Sequence, residues 1–189
     1  MRIRCITIRA KSKFVLQRVA WPSDLTTPDG DAMIIRETTH RFSPLSFHRS
    51  MVGRRLPILL TAAGRAYFAM CPEGEREDIL ELLRSGAGGD EQKALASNDA
   101  LIKSLVRRAR ADGFGSNHGD WAAQSKIGAV AVAIVSQERV LASLNVVFLS
   151  RAVTLAEATR RYVPELQAAA QEMSEALEAE ESASGTDKD

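Results

Sequence analysis

The chain has 189 residues, 45% of them hydrophobic and 26% charged, with a formal net charge of +1. That length and apolar share can bury a real core and read as one domain. A charge this close to zero provides no overall field to attract nucleic acid, a membrane surface or an acidic substrate.

Cys5 and Cys71 stand in no metal or redox spacing and fit a reducing cytosol better than a disulfide framework. The histidines, at 40, 48 and 118, are scattered, with no HExxH or CxxC, so no metal or cofactor is expected. There is no run of about 18 apolar residues to span a membrane. Arginines and lysines interrupt the apolar residues of Met1 to Ala20, unlike a signal peptide. A cytoplasmic protein is expected.

Residues 1–20 form a basic N-terminal segment carrying Arg2, Arg4, Arg9, Lys11, Lys13 and Arg18. It reads as a solvated tail in preference to a DNA-binding arm, since charge runs usually are solvated. Ser23 to Thr27 reads as a short strand ended by the turn Pro28-Asp29-Gly30, with Ala32 to Thr38 as its hairpin partner. Residues 40 to 55 read as loop with a short strand near Met51-Val52. Arg54 and Arg55 follow. A strand sends neighbours to opposite faces, so at most one of them can face a pocket. There its guanidinium would anchor a carboxylate, although a surface or interface role is the commoner one. The same holds for His48 and Arg49.

Residues 56 to 70 are an apolar run that breaks at Thr61 into a helix start of tiny residues, Ala62, Ala63 and Gly64, running to about Met70. Thr61 can cap the first turn. Small side chains leave the first N–H groups uncovered, which suits a small anion; a tight helix–sheet contact is the equal alternative. A second helix is expected over Pro72 to Leu83, with proline first and acids in the opening turn. Gly86 to Gly89 is a break. Asn98 caps a helix with Leu101, Ile102, Leu105 and Val106 on one face, closed by Gly113.

Ile127 to Val135 and Val140 to Phe148 are β-branched apolar runs around Ser136 to Arg139, a buried antiparallel hairpin. Asn145 is alone among apolar neighbours and must find partners, either a ligand or a neighbouring strand. Thr154 and Glu157 form a capping box for a last helix, Leu155 to about Leu177. The acidic stretch from 179 to 189 is expected to be disordered. Strands and helices in this order give an α+β class.

Leu-Pro-Ile-Leu-Leu-Thr-Ala-Ala-Gly-Arg-Ala-Tyr-Phe-Ala (56–69) with Pro-Glu-Gly-Glu-Arg-Glu (72–77) resembles the signature of the effector-binding domain of IclR-type transcriptional regulators. Ala-Met-Ile-Ile-Arg-Glu-Thr-Thr (32–39), Arg-Ala-Asp-Gly-Phe-Gly (110–115) and the hairpin over 127–148 resemble further family passages, in the family's order. The Leu-Asn-Val-Val-Phe ending and the Gly-Arg-Arg-Leu-Pro lead-in are most similar to the branch that regulates hydroxyphenylpropionate and aromatic-acid catabolism. The resemblance covers roughly residues 20 to 178 and sets the expected domain at 21–178.

The resemblance implies a GAF/PAS-like antiparallel sheet with flanking helices and an effector pocket on one face. Ala62 and Ala63 match a Gly-Ala pair that offers backbone donors to a carboxylate. Asn117 matches a position often held by an acid; Ser125 and Ile127 match pocket positions; Asn145 and Val147 replace two pocket serines. Trp121 either covers an aromatic ligand or shields the edge of the core. The implied function is a sensor of a small, aromatic carboxylic acid, working as a homodimer or homotetramer. DNA would be met only through a helix-turn-helix domain absent from this chain. Val163 and Leu166 are candidate interface residues that could equally pack on the sheet. The alternatives are an oligomerisation domain without ligand or a small-molecule enzyme. The enzyme is disfavoured, since no nucleophile elbow, carboxylate pair or phosphate loop is present.

Overall fold

Two neighbouring strands, β1 (Ser23–Asp29) and β2 (Ala32–Thr38), pair antiparallel around the tight turn at Gly30. A short third strand, β3 (Arg55–Pro57), adds to the outer edge of β2. Helices α1 (Ala62–Met70), α2 (Glu73–Arg84), α3 (Asp90–Ala96) and α4 (Asp99–Asp112) follow. Strand β4 (Gly115–His118) and a 3-10 turn at Ala122–Gln124 lead into the long hairpin of β5 (Ile127–Ser136) and β6 (Arg139–Leu149). Helix α5 (Leu155–Gly185) ends the fold. The structure, a computed structural model, describes residues 19–46, 50–119 and 121–185. Most of the expected basic segment, His48, Arg49 and the tail from residue 186 lie outside them.

The strands form one antiparallel sheet in the order β3-β2-β1-β6-β5-β4. Its centre is the pairing of β1 with β6, where Asp24 lies opposite Asn145 and Leu25 opposite Leu144. Alternation along the central strands divides the layers. Val130, Val132 and Ile134 of β5, with Leu144, Val146 and Phe148 of β6, pack on α5. On the opposite face β5 presents Ala129 and Ala131, whose small side chains let α1 lie close through Ala62, Ala63 and Ala66. A second apolar cluster around Met33, Tyr67, Phe68 and Leu83 joins β2 to α1 and α2. The architecture is α+β, an antiparallel sheet with helices on both faces.

The caps fall where the residue types require them. Thr61 accepts from the Gly64 N–H at 3.2 Å, Asn98 from Leu101 at 3.1 Å and Thr154 from Glu157 at 3.2 Å. Gly113 ends α4 in the left-handed region at φ 75°. The hairpin turns through Gln137 and Glu138, both at positive φ, a two-residue turn matched to the twist of its strands.

Two expectations change, and two points left open are filled. The strand of the 40–55 region lies at 55–57 rather than at Met51-Val52, because pairing with Met33 and Ile34 fixes it. After the Gly86–Gly89 break the chain forms α3, held by buried Gln92, whose side chain accepts from the Leu59 N–H at 2.9 Å. Helix α5 runs to Gly185, so residues 179–185 of the expected disordered tail are helical. Val163 and Leu166 are buried against the sheet, the second of the two roles left open for them. Among the described residues no helix is long and apolar enough to cross a membrane.

Candidate functional site

The start of α1 serves two purposes, divided residue by residue. Gly64 is a packing position: a Cβ there would lie 2.1 Å from the Ile58 carbonyl oxygen. Gly115 of β4 is its counterpart, with a Cβ position 2.4 Å from the Ala62 carbonyl oxygen. Ala63 is fully buried and packs with Ala129 and Ala131. Of the expected anion floor, Ala63 and Gly64 therefore belong to the close helix–sheet contact, while Thr61 and Ala62 line a cavity. The Ala62 N–H is engaged by Asn117, whose Oδ1 accepts it at 3.3 Å.

That cavity has a volume of about 70 Å³. Its floor is the α1 start and Asn117 of β4, and its back wall is Ile127, Ala129, Asn145 and Val147 of the hairpin. Asp24 of β1 and His40, just beyond β2, form one end. Buried Met51, half-buried Leu56 and exposed Arg54 also line it, as do Trp121 and Gln124 of the 3-10 turn.

The polar groups inside are arranged by sheet pairing. Asn145 Oδ1 accepts the Asp24 backbone N–H at 2.8 Å, as Asn117 Oδ1 accepts that of Ala62. Both carboxamides are buried, at 3% and 4% exposure. Each spends its oxygen on a backbone donor, which fixes its orientation and leaves its NH₂ group to donate elsewhere. The Asp24 carboxylate is 1% exposed and accepts from Thr38 Oγ1 at 2.7 Å. His40, 2% exposed, shares a hydrogen bond between Nδ1 and Ser46 Oγ at 2.7 Å. Its Nε2 lies 3.7 Å from Asp24 Oδ1 and has no hydrogen-bond partner among the described residues.

The two arginines separate as strand geometry requires. Arg54 is on the rim, donating to Met51 Sδ at 3.4 Å, with no carboxylate partner among the described residues. Arg55 points away and is committed to Asp29 and Asp31 on the sheet edge, which removes it as an anion anchor. Ser125 is exposed and off the cavity wall; the 3-10 turn puts Gln124 there instead. Trp121 lies on the wall, a position compatible with either of its two expected roles.

Asp24, His40, Met51, Leu56, Gln124 and Ala129 line the cavity but were not among the expected site residues. Asp24 carried one weak signal, an acid on the same strand face as Thr26; the others carried none. A larger hollow of about 230 Å³ lies between β4 and α4, beside Leu101, Leu105 and Phe114. Its Arg65 guanidinium is committed to the carbonyl oxygens of Leu59 and Ser116, at 2.8 and 2.7 Å. Away from both cavities, burial pushes the Cys71 thiol up to about 11. Burial and a hydrogen bond to Glu75 raise the Tyr67 hydroxyl well above its ordinary range. Among the described residues no group of His, Cys, Asp or Glu is placed to hold a metal ion.

Residues 3–175 match the family profile described as bacterial transcriptional regulator IclR C-terminal. The fold is that of several solved structures. IclR of Thermotoga maritima superposes with a TM-score of 0.73 at 19% identity, over 90% of this chain and 68% of that one. The C-terminal domain of the E. coli transcriptional regulator KdgR gives 0.72 at 22%, over 93% and 98%. The inducer binding domain of the PobR transcription factor from Acinetobacter, a double mutant in complex with 3-hydroxy benzoic acid, gives 0.69 at 14%, over 88% and 95%. The GAF/PAS-like fold is thereby established, and both family and neighbours are domains of transcriptional regulators rather than enzymes.

Proposed function

We propose, for a chain that belongs to the IclR family of bacterial transcriptional regulators as their C-terminal domain, that the cavity between the α1 start and the β5–β6 hairpin senses a small carboxylic acid. The carrying observation is the pair of buried carboxamides, Asn117 and Asn145, each with its oxygen already used and its NH₂ donors left over. A carboxylate is an acceptor at both oxygens and satisfies such donors. The positive end of the α1 dipole lies beside them, and Arg54 adds a cation at the rim.

An aromatic acid is the guest that Trp121, Ile127 and Val147 fit best, since they supply apolar and ring surface on two sides. The 70 Å³ cavity is smaller than the ~150 Å³ in which an engineered site holds benzene. An aromatic guest therefore requires the Trp121–Gln124 side to move outward. That movement is a route for the signal: a ligand shifts an equilibrium between two arrangements by its differential affinity for them. In a cytoplasmic homodimer or homotetramer the shift reaches DNA through separate helix-turn-helix domains.

The small volume also favours a second reading, an oligomerisation domain that takes no ligand. A thermal-shift screen of small aliphatic and aromatic carboxylates separates the two. A ligand at a hundred times its Kd adds about 2.7 kcal/mol to the folded state and raises Tm. No rise with any acid selects the ligand-free reading.

A further inference from the structure

Resting on the acid-sensing reading, we infer that the Asp24–His40 pair recognises a hydroxyl group, so that the effector is a hydroxy acid. Asp24 and His40 form the end of the cavity, and both are almost completely buried. A buried carboxylate with few partners is costly, and a buried imidazole nitrogen with none is costly too. His40 Nε2 is such a nitrogen among the described residues. It lies 3.7 Å from Asp24 Oδ1, too far for a direct hydrogen bond. Two atoms at that separation can share one oxygen at roughly 2.8 Å from each.

The chemistry of the pair selects that oxygen. The Asp24 carboxylate facing Nε2 favours the tautomer with the proton on that nitrogen, in which Ser46 Oγ donates to Nδ1 and Nε2 donates into the gap. Asp24 accepts. A hydroxyl is the group that accepts from one and donates to the other through a single oxygen. A carboxylate fails here, because it has nothing to donate and Asp24 repels it. The pair therefore also orients the guest, turning its carboxylate toward Asn117 and Arg54 and its hydroxyl toward β1.

The test is calorimetric titration of the chain with acids that differ in one substituent: propionate, lactate and alanine, and benzoate, 3-hydroxybenzoate and 4-hydroxybenzoate. A hydroxyl bound to a charged partner strengthens binding roughly tenfold or more, so one hydroxy acid binds at least that much tighter than its parent. Asp24→Asn and His40→Gln each bring that ratio down to about one, whatever they do to the parent acid, whose affinity Asp24→Asn raises by removing a like charge. Circular dichroism and melting confirm the fold, and His40→Gln carries the test should Asp24→Asn not fold. Overturning results are a ratio unchanged in the variants, alanine binding tighter than lactate, or parent and hydroxy acids binding alike. Acids that bind without regard to the hydroxyl remove this inference alone; a panel in which nothing binds removes the sensing reading as well.

Discussion

The Oδ1 atom of Asn117 accepts the Ala62 N–H at 3.3 Å, so the first donor of α1 is held by the chain itself. The helix terminus is thus not an open anion hole. It is a primed one, in which the amide fixes the carboxamide and the carboxamide presents its own N–H groups.

Asn117→Asp puts a carboxylate where the amide oxygen now sits. The helix dipole favours it while its burial costs stability, so binding is measured below the variant's own melting temperature. It removes two donors and adds a charge that repels an incoming acid. Calorimetry should show affinity for any bound carboxylate falling tenfold or more, on the order of 1.4 kcal/mol or above. Unchanged affinity would take Asn117 out of the site.

Gly64→Ala tests the packing half of the same turn. The added methyl would meet the Ile58 backbone at 2.1 Å, and backbone cannot rotate away as a side chain does. Urea denaturation should give a loss of about 3 kcal/mol or more, at the upper end of overpacking costs. A change under about 1 kcal/mol would mean that α1 is free to shift from the sheet.

Arg54 and Arg55 are neighbours with opposite expectations. Arg54→Gln removes the rim cation, weakens acid binding about fivefold or more and leaves the fold alone, because the side chain is exposed. Arg55→Gln breaks the pairs with Asp29 and Asp31, costs at most about 1 kcal/mol of stability and leaves binding unchanged. Titration and melting of the two variants side by side check both. Equal effects on binding would contradict the division.

Much of this was legible in the sequence where the signal is local. Thr61, Asn98, Gly113 and Thr154 mark helix ends by side-chain chemistry within one turn, and the β5–β6 hairpin shows in its two apolar runs. Thr61, Ala62, Asn117, Trp121, Ile127, Asn145 and Val147 of the expected site do line the cavity. What was hidden depends on distance along the chain. Asp24 reaches the cavity because β1 pairs with β6, bringing together residues 121 positions apart. His40 arrives by the loop after β2, and no spacing rule links it to Asp24. Helix α3 was missed because its seven residues are too few to show a period, and Gln92 holds it from outside the pattern.

The alkaline limb of stability should report Cys71 and Tyr67. Folding raises the thiol from an ordinary 9.0 to about 11, and raises the tyrosine hydroxyl as well. For groups raised on folding, the stabilisation is complete below the unfolded value and is lost as pH climbs toward the folded one. Unfolding free energy should therefore be level up to about pH 9 and fall between about 9 and 11. Cys71→Ala should make that fall shallower. A stability that rises over this range would contradict the burial of both groups.

The most direct test follows the side-chain NH₂ signals of Asn117 and Asn145 by ¹⁵N-resolved NMR, as lactate or 3-hydroxybenzoate is titrated into the labelled chain. Both pairs are expected to move together and saturate with one Kd, along with the Ala62 amide. Shifts confined to the hollow beside Leu101 and Phe114, or no saturable shift at these carboxamides with either acid, would contradict it.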